Sequence, residues 1–448
     1  MQSTIDNLRE FIHELNDEQL REMVADMSRQ DIVQLWEDLK DIEAINLFLL
    51  LSIEQKAELI TELGAADQEW LIENLPLDNA REIFEKIEPD DLVDIIQELN
   101  PEIRENVWQS LSDEARSQMQ FLLRFDEDHA AGIMTTRYLA IRSNITVGQA
   151  LAFIRTNARK VETIYYIYVV DSLKRLQGVV SLKDLLFTDD SRRIDEVMTH
   201  KVISVADNAH QEDVARTLEA NGLVALPVVD TYNRLLGIVT FDDAIDVIRE
   251  EQTEDVYKMG AMGGAVDRYT ESSIGKLIRK RIPWLIILLI AGTLTTNVLS
   301  AFEPLMLAAG FLVWFVPVIT QTGGNSGTQS STLMIRGLAT GEIRFRDIGR
   351  IIIKELAVGI LMGIVLAAVI MVRSVYLPPG VDWIQAVAIG SALIFVVVFS
   401  SIIGALAPLV IHRLGFDPTV MAGPLMATVI DVAGLTIYFQ SARIILGL

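Results

Sequence analysis

Two groups of residues in this 448-residue chain have the type and spacing to handle cations. The first is a carboxylate set in apolar sequence: Asp431 lies within Ala427-Thr428-Val429-Ile430-Asp431-Val432-Ala433-Gly434, shortly after Gly423-Pro424. At mid-membrane a carboxylate costs at least ~2.5 kcal/mol on insertion scales, so it ordinarily lines a polar path. A cap or a hydrogen bond to a neighbouring helix is the structural alternative. Upstream, Pro317-Val318-Ile319-Thr320-Gln321-Thr322-Gly323-Gly324-Asn325-Ser326-Gly327-Thr328-Gln329 interrupts an equally apolar run with glycines and amides. Lipid cannot satisfy broken backbone, so such a segment must face protein or water, where its carbonyls and amides suit an ion or its hydration shell. Close helix packing through small residues is the other reading. The second group is soluble and acidic. Asp243, Asp246, Glu250 and Glu254 recur every three or four residues in the run 241–255, which reads as one amphipathic helix with Ile245, Val247 and Ile248 near one side. Carboxylates stacked this way repel unless cations sit between them. Glu88, Asp90, Asp91 and Asp94 add acid nearer the amino terminus, and Asp417 precedes the last apolar run.

The composition narrows the chemistry. With no cysteine and five histidines, disulfide scaffolds, thiolate zinc sites, iron–sulfur clusters and cysteine nucleophiles are excluded, and a His-rich metal site is disfavoured. A site made of oxygen alone favours a hard cation: Mg²⁺, Ca²⁺ or Mn²⁺. Mg²⁺ gives up its water reluctantly, so a pore with few carboxylates that grips the hydrated ion suits it best. Only Asp431 is expected deep in a span, which fits a symmetric dimer with two copies facing one axis. A net charge of −23 and a pI near 4.6 argue against nucleic acid as a partner. No nucleophile with its base and no metal-ligand spacing marks an enzyme. An anion channel is disfavoured by a buried carboxylate without a nearby membrane Arg or Lys.

These residues need elements to hold them. Residues 5 to about 125 read as successive helices, with Leu8, Phe11, Ile12 and Leu15, then Ile32, Leu35, Trp36 and Leu39, at helical spacing. Leu75-Pro76-Leu77-Asp78, Glu88-Pro89-Asp90-Asp91, Asn100-Pro101-Glu102 and Leu111-Ser112-Asp113-Glu114 each open a short helix, predicting a stacked superhelix. A second repeat follows at an offset of 59 residues: Asp171, Gly178 and Asp184 match Asp230, Gly237 and Asp243. Each copy reads as strand, turn, strand, helix, preceded by Met-Thr at 134–135 and 198–199 and a helix. This resembles a tandem pair of cystathionine-β-synthase-type (CBS) domains over about residues 133 to 250. Such a resemblance implies a sensor of a small ligand or ion; a dimerisation spacer is the alternative. Seven of the 61 acids and eight of the 38 bases follow Arg281, so residues 1–282 carry about −24 and the remainder is close to neutral. That remainder holds five runs long enough to cross a bilayer, near 283–302, 305–335, 351–373, 384–411 and 419–446. Arg268, Lys276, Arg279, Lys280 and Arg281 lie on one side with Arg336, Arg344, Arg346, Arg350, Lys354, His412 and Arg413. The opposite loops hold Arg373 and Arg443. The positive-inside rule then predicts a multi-pass inner or plasma membrane protein with the soluble part cytoplasmic and the carboxyl terminus outside. The start MQSTIDNLREFIHEL lacks signal-peptide character, in keeping with a cytoplasmic amino terminus.

The order of acidic helical module, CBS pair, acidic connector and five spans resembles the MgtE family of magnesium channels. The resemblance rests most on Pro317, Gly323, Gly324, Asn325, Gly327 and Gln329, with Asp417-Pro418, Gly423-Pro424 and Asp431-Val432-Ala433-Gly434. It implies a multidomain chain: an all-α superhelical N-terminal domain (1–130), an α/β tandem CBS pair (131–195 and 196–248), a connecting plug helix (249–281) and an α-helical transmembrane pore domain of five spans (282–448). It implies a homodimer in the lipid bilayer whose axial pore carries Mg²⁺, with Asp431 binding the hydrated ion and the Ala427 carbonyl facing it. Asn325, Gly323, Gly324 and Gly327 match the segment flanking the filter, and Glu303 an acidic position at the outer mouth. Intracellular Mg²⁺ is expected to bridge Asp90, Asp94, Asp243, Asp246, Glu250, Glu251, Glu254, Asp255 and Asp417, close the pore and give negative feedback. Passage of Co²⁺ or Mn²⁺ is open, as is ATP or another adenine nucleotide at the CBS pair, where no phosphate-cradling Gly-rich run occurs. The rival reading is a membrane-anchored CBS sensor of nucleotide or metal that transports nothing.

Overall fold

The computed structural model describes residues 24–25, 27–39, 41–74, 77–263, 273–421 and 423–448, less the side chains of 37–38, 41–42, 77–79 and 421. The expected first helix through Leu8, Phe11, Ile12 and Leu15, the turn at Leu75-Pro76 and the base Arg268 lie outside these residues. The chain forms two compact units, Met1–Arg249 and Glu250–Leu448.

Among the described residues, the first unit begins with eight short helices: α1 Arg29–Asp38, α2 Asp41–Leu50, α3 Ile53–Glu62, α4 Ala65–Asn74, α5 Leu77–Phe84, α6 Pro89–Glu98, α7 Pro101–Ser110 and α8 Asp113–Leu122. Their starts follow from sequence. Pro89 and Pro101 occupy the first helical position, where a missing N–H costs nothing. Asn100 Oδ1 accepts the N–H of Ile103 at 3.1 Å, and Ser112 Oγ that of Ala115 at 3.3 Å. Along this series α1 packs on α3, α3 on α5, α5 on α7 and α6 on α8. The stack closes over Leu59, Ile60, Ile83, Phe84, Leu92 and Ile96.

Two three-stranded sheets follow. Strands β1 Ala140–Arg142, β2 Tyr166–Val170 and β3 Leu176–Ser181 form the first, with helix α9 Val147–Asn157 before β2 and α10 Leu182–Leu186 after β3. After α11 Ile194–Val197, strands β4 Val205–Ala206, β5 Ala225–Val229 and β6 Leu235–Thr240 form the second, with α12 Gln211–Asn221 before β5 and the long helix α13 Phe241–Met259 after β6. In each sheet the first pair is parallel and the second antiparallel. The repeat is visible in the register, since Val169 faces Gly178 and Val228 faces Gly237. Met-Thr does not serve its own copy. Thr135 bonds Ile238 of β6, while Thr199 bonds Val179 of β3. The glycines leave room for this exchange: a Cβ on Gly237 would lie 2.7 Å from Met134 Sδ, and one on Gly178 2.7 Å from Met198 Sδ.

The second unit is helical: α14 Ile274–Ala301, α15 Glu303–Ala308, α16 Phe311–Ala339, α17 Ile348–Tyr376, α18 Trp383–Arg413 and α19 Pro424–Leu446. Among the described residues, four helices are long and apolar enough to span a membrane: α14, α17 with the turn before it, α18 and α19. Helix α16 has 29 residues, about 43 Å at 1.5 Å per residue, but its polar centre keeps it outside that group. The polar segment does not break the helix as its glycines suggest; α16 runs through Gly323, Gly324 and Gly327. Neighbouring helices fill the space that side chains would take. A Cβ on Gly323 would come 2.8 Å from Val396, and one on Gly404 would meet the Gly327 carbonyl. Leu312, Phe315, Ile319, Ile389, Val396 and Leu435 form the core between α16, α18 and α19.

Candidate functional site

In the first unit, β6 ends at Thr240, whose N–H and hydroxyl both donate to Asp243 Oδ2 (3.3 and 2.5 Å) and so start α13. This places Asp242 and Asp243 beside Glu162, which follows the 3₁₀ turn Ala158–Lys160. One carboxylate oxygen of each lies within 4.8 Å of the others. Glu88, Asp90 and Asp91, at the start of α6, surround the same point, and their charges act on Glu162 and Asp243. Burial and the charge of Asp242 and Glu88 outweigh the Thr240 hydrogen bonds and raise Asp243 to about 6. Burial, with Asp243 and Glu88, raises Asp91 to about 6. Burial, then the charge of Glu88 and a hydrogen bond with it, raises Glu162 to about 10. Asp90, 8 % exposed, is raised well above the ordinary carboxylate value by burial and by Asp243. Glu88 Oε2, Asp90 Oδ1 and Glu162 Oε2 are buried oxygens that no N–H or hydroxyl of the protein reaches, so a proton shared between Glu162 and Glu88, or a cation, must satisfy them. Crowded carboxylates with unfilled acceptors fit a hard divalent cation and its water. A cavity of about 770 Å³, lined by Lys86, Glu88, Glu114, Arg137 and Lys160 among others, gives solvent a way to Glu88.

The expected ladder of acids along α13 divides. Asp243 joins the cluster, while Asp246 is exposed and pairs with Arg249 at 3.1 Å. Asp94 lies on the exposed side of α6. Glu250 is exposed, and Glu251 and Asp255 are half-buried on the second half of α13. In the second unit Lys258 Nζ lies 3.0 Å from Glu254 Oε1 and 2.8 Å from Asp417 Oδ2. Burial disfavours the Lys258 charge, but the two carboxylates outweigh it and push its pKa up. Burial would raise Asp417, but Lys258 and both donors of Thr419 outweigh it and hold Asp417 low. Lys258 thus joins Glu254 and Asp417, two of the acids expected to hold a metal ion. The end of α13 also meets the turn before α19. Gly423 has φ +55°, and a Cβ there would lie 2.6 Å from the Met259 carbonyl oxygen.

Asp431 is half-buried on α19, and no hydrogen-bond or ion-pair partner holds its carboxylate among the described residues. One turn earlier, Ala427 faces Gly324 of α16, with 3.6 Å from a Gly324 Cβ to that of Ala427. Gly323 and Gly327 are buried against Ile430 and serve packing. Gln321, Asn325 and Gln329, four residues apart, are exposed along one stripe of α16. Glu303 is exposed at the first position of α15. A second buried carboxylate lies near the start of an expected span. Glu355 of α17 is 7 % exposed and accepts the Ser330 hydroxyl at 2.8 Å.

Known proteins resemble this chain in sequence and domain order. Residues 316–441 match the family model for the MgtE divalent cation transporter, 27–128 that for the MgtE intracellular N domain, and 130–189 and 194–250 that for the CBS domain. The magnesium transporter MgtE of Thermus thermophilus is 42% identical over 335 residues, covering 74% of this chain and 73% of that protein. The chain belongs to the MgtE family of magnesium transporters. Its members are transporters and not enzymes. MgtE of Enterococcus faecalis is 39% identical over 329 residues, covering 72% of this chain and 71% of its own. A crystal structure of the cytosolic domain of the Mg²⁺ channel MgtE in complex with ATP matches with TM-score 0.53 and 38% identity, over 54% of this chain and 99% of that one.

Within this MgtE-family chain, the sequence points to Glu88, Asp90, Asp91 and Asp243 of the acidic cluster and to Asp431 of α19, and does not point to Glu162, Asp242, Lys258 or Glu355. Asp242 adjoins the periodic acids and could have been included. Glu162 follows Arg159-Lys160 in a loop, where it has the look of an ordinary surface charge.

Proposed function

We propose that this MgtE-family chain is a homodimeric channel for Mg²⁺ uptake, closed from the cytoplasm by the ion it admits. Asp431 carries the reading: an intramembrane carboxylate without a cationic partner is costly unless it meets a passing cation. A hydrated Mg²⁺ would be held by Asp431 and the Ala427 carbonyl, with Asn325 and the neighbouring Gly323, Gly324 and Gly327 beside the path and Glu303 at its outer mouth. The amide stripe Gln321, Asn325 and Gln329 supports two copies, because lipid cannot satisfy it whereas an aqueous axis or a second copy can. Helix α16 then counts as the fifth span. Its basic end at Arg336, with Arg344 and Arg346 in the connection that follows, faces the cytoplasm with Lys276, Arg279 and Arg281, and the carboxyl terminus lies outside. Other divalent cations such as Co²⁺ or Mn²⁺ compete for the same oxygens.

Regulation is assigned to the acidic cluster of Glu88, Asp90, Asp91, Glu162, Asp242 and Asp243 in the N-terminal and CBS domains (boundaries 130, 195 and 248). Its unfilled acceptors support a divalent cation there. Asp94 and Asp246 in the first unit, and Glu250, Glu251 and Asp255 in the second, attract further divalent ions. The connector 249–281 transmits the result as a plug, anchored by Glu254, Lys258 and Asp417. ATP, bound by a homologue's cytosolic domain, is the nucleotide proposed for the CBS pair. The test is Mg²⁺ flux into liposomes by the intact protein and by Asp431→Ala, with and without millimolar Mg²⁺ on the cytoplasmic side. Flux that needs Asp431 and falls with internal Mg²⁺ is expected. No flux from either protein, correctly folded, would replace the channel with a membrane-anchored sensor.

A further inference from the structure

We infer that Glu355 is a positioning residue for ion passage, fixing the rotation of α16 through its hydrogen bond with Ser330. Glu355 lies in the buried stripe Ile351, Glu355, Gly359, Gly363 and Ala367 of α17. The glycines let α17 close on α18: a Cβ on Gly359 would lie 3.0 Å from Val398 Cα, and one on Gly363 3.0 Å from Ile394 Cα. In this tight seam the carboxylate is 7 % exposed, and Ser330 Oγ of α16 donates to its Oε2 at 2.8 Å. One turn earlier on α16, the Ser326 hydroxyl lies 3.0 Å from that of Ser401 on α18. Two buried polar contacts one turn apart therefore hold the same face of α16.

Each of these serines adjoins an exposed amide. Ser326 follows Asn325 and Ser330 follows Gln329, about 100° further around the helix. A turn of α16 that broke the seam would swing both amides, and would move Gly324 away from Ala427 of the Asp431 helix. A leucine at position 355 would fill the space without the cost of a buried charge. What the carboxylate adds is direction, because a hydrogen bond to a charged acceptor is stronger and more geometrically exacting than a neutral contact.

The inference rests on the conduction reading, so its test has an arm independent of transport. The chain has no cysteine, so Asn325→Cys supplies a single thiol for a membrane-impermeant maleimide. With Glu355→Ala or Ser330→Ala, the labelling rate should change about tenfold, the ratio that matches a lost hydrogen bond to a charged group. Mg²⁺ flux and preference for Mg²⁺ over Ca²⁺, measured without the thiol, should fall by a similar factor. Glu355→Gln should restore part of both, since its amide oxygen still accepts from Ser330 through a weaker, neutral hydrogen bond, and the double alanine variant should be no worse than either single one. Unchanged labelling in Glu355→Ala, a Gln variant as altered as the Ala variant, or additive losses would overturn the assignment. If flux survives Asp431→Ala, the conduction reading fails while the labelling series still decides the role of Glu355.

Discussion

Replacing Asp243 by Asn should raise stability without Mg²⁺ and lose that advantage when Mg²⁺ is bound. Its carboxyl is raised from 3.8 to about 6, mainly by burial and then by the charge of Asp242 and Glu88, against two hydrogen bonds from Thr240. Keeping it ionised near pH 8 therefore costs about 3 kcal/mol, at about 1.4 kcal/mol for each tenfold change in proton affinity. Asparagine keeps the shape, and its amide oxygen still accepts from Thr240, so the variant sheds the charge without losing packing. We expect a gain of about 1–3 kcal/mol in EDTA, or roughly 2–10 °C in melting temperature for a unit of this size. Millimolar Mg²⁺ should cancel most or all of that advantage. Losing one carboxylate weakens divalent binding about 10- to 100-fold, which at saturation takes about 1.4–2.7 kcal/mol of ligand stabilisation from the variant. The assay is thermal unfolding of the full-length protein in detergent, in EDTA and in Mg²⁺. An Asn variant no more stable than the parent in EDTA, or one that gains as much from Mg²⁺, would refute the cluster as a cation site.

Three further outcomes follow from the same geometry. Asp91 and Asp243 are raised to about 6 and Glu162 to about 10, so the folded state holds protons that the unfolded state releases. Metal-free stability should fall as pH climbs from about 4 to 6 and, through Glu162, on toward 10, with Mg²⁺ flattening the slope; melts in EDTA that rise over this range would contradict it. Lys258→Met leaves Glu254 and Asp417 without their shared ammonium, and should raise liposome flux at zero internal Mg²⁺ two- to fivefold, because partly exposed pairs are worth about 1 kcal/mol or less. Gly423→Ala puts a side chain at positive φ and into the Met259 carbonyl, and should raise the internal Mg²⁺ that halves flux, read from a titration of the same liposomes.

What was legible in the sequence depended on contrast with the surroundings. Asp431 stands out because a charge in apolar sequence violates composition, and Pro89 and Pro101 mark helix starts because their missing N–H suits few other places. The 59-residue repeat carried over to the strand register. The exchange of Met134-Thr135 and Met198-Thr199 between sheets did not, since a repeat shows which segments are alike and not which copy they pair with. Gly-Gly-Asn-Ser-Gly reads as a helix breaker by the rules of soluble chains, yet α16 continues because Val396 and Ile430 fill the space above its glycines. Glu162 was silent for a similar reason: only the CBS topology brings it to Asp242 and Asp243.

On the proposed reading, the two carboxylate sites ask opposite things of the same ion. A conducting site must release what it binds, which a single half-exposed Asp431 does, because a hydrated Mg²⁺ touching few ligands keeps most of its water. A sensor must instead change the population of states, and moving a two-state equilibrium from 1:99 to 99:1 takes about 5.5 kcal/mol of differential binding. The crowded carboxylates hold part of that energy before any ion arrives. Burial first, and then mutual repulsion, raises Asp91 and Asp243 to about 6, so each costs about 3 kcal/mol or less to ionise, and the two costs overlap because each carboxylate acts on the other. A divalent cation held among them in a compact arrangement offsets part of that cost, and offsets little in any arrangement that separates the carboxylates. The burial and repulsion that make the metal-free cluster unfavourable are therefore what lets Mg²⁺ discriminate between states, and acids added for affinity at Asp431 would cost conduction.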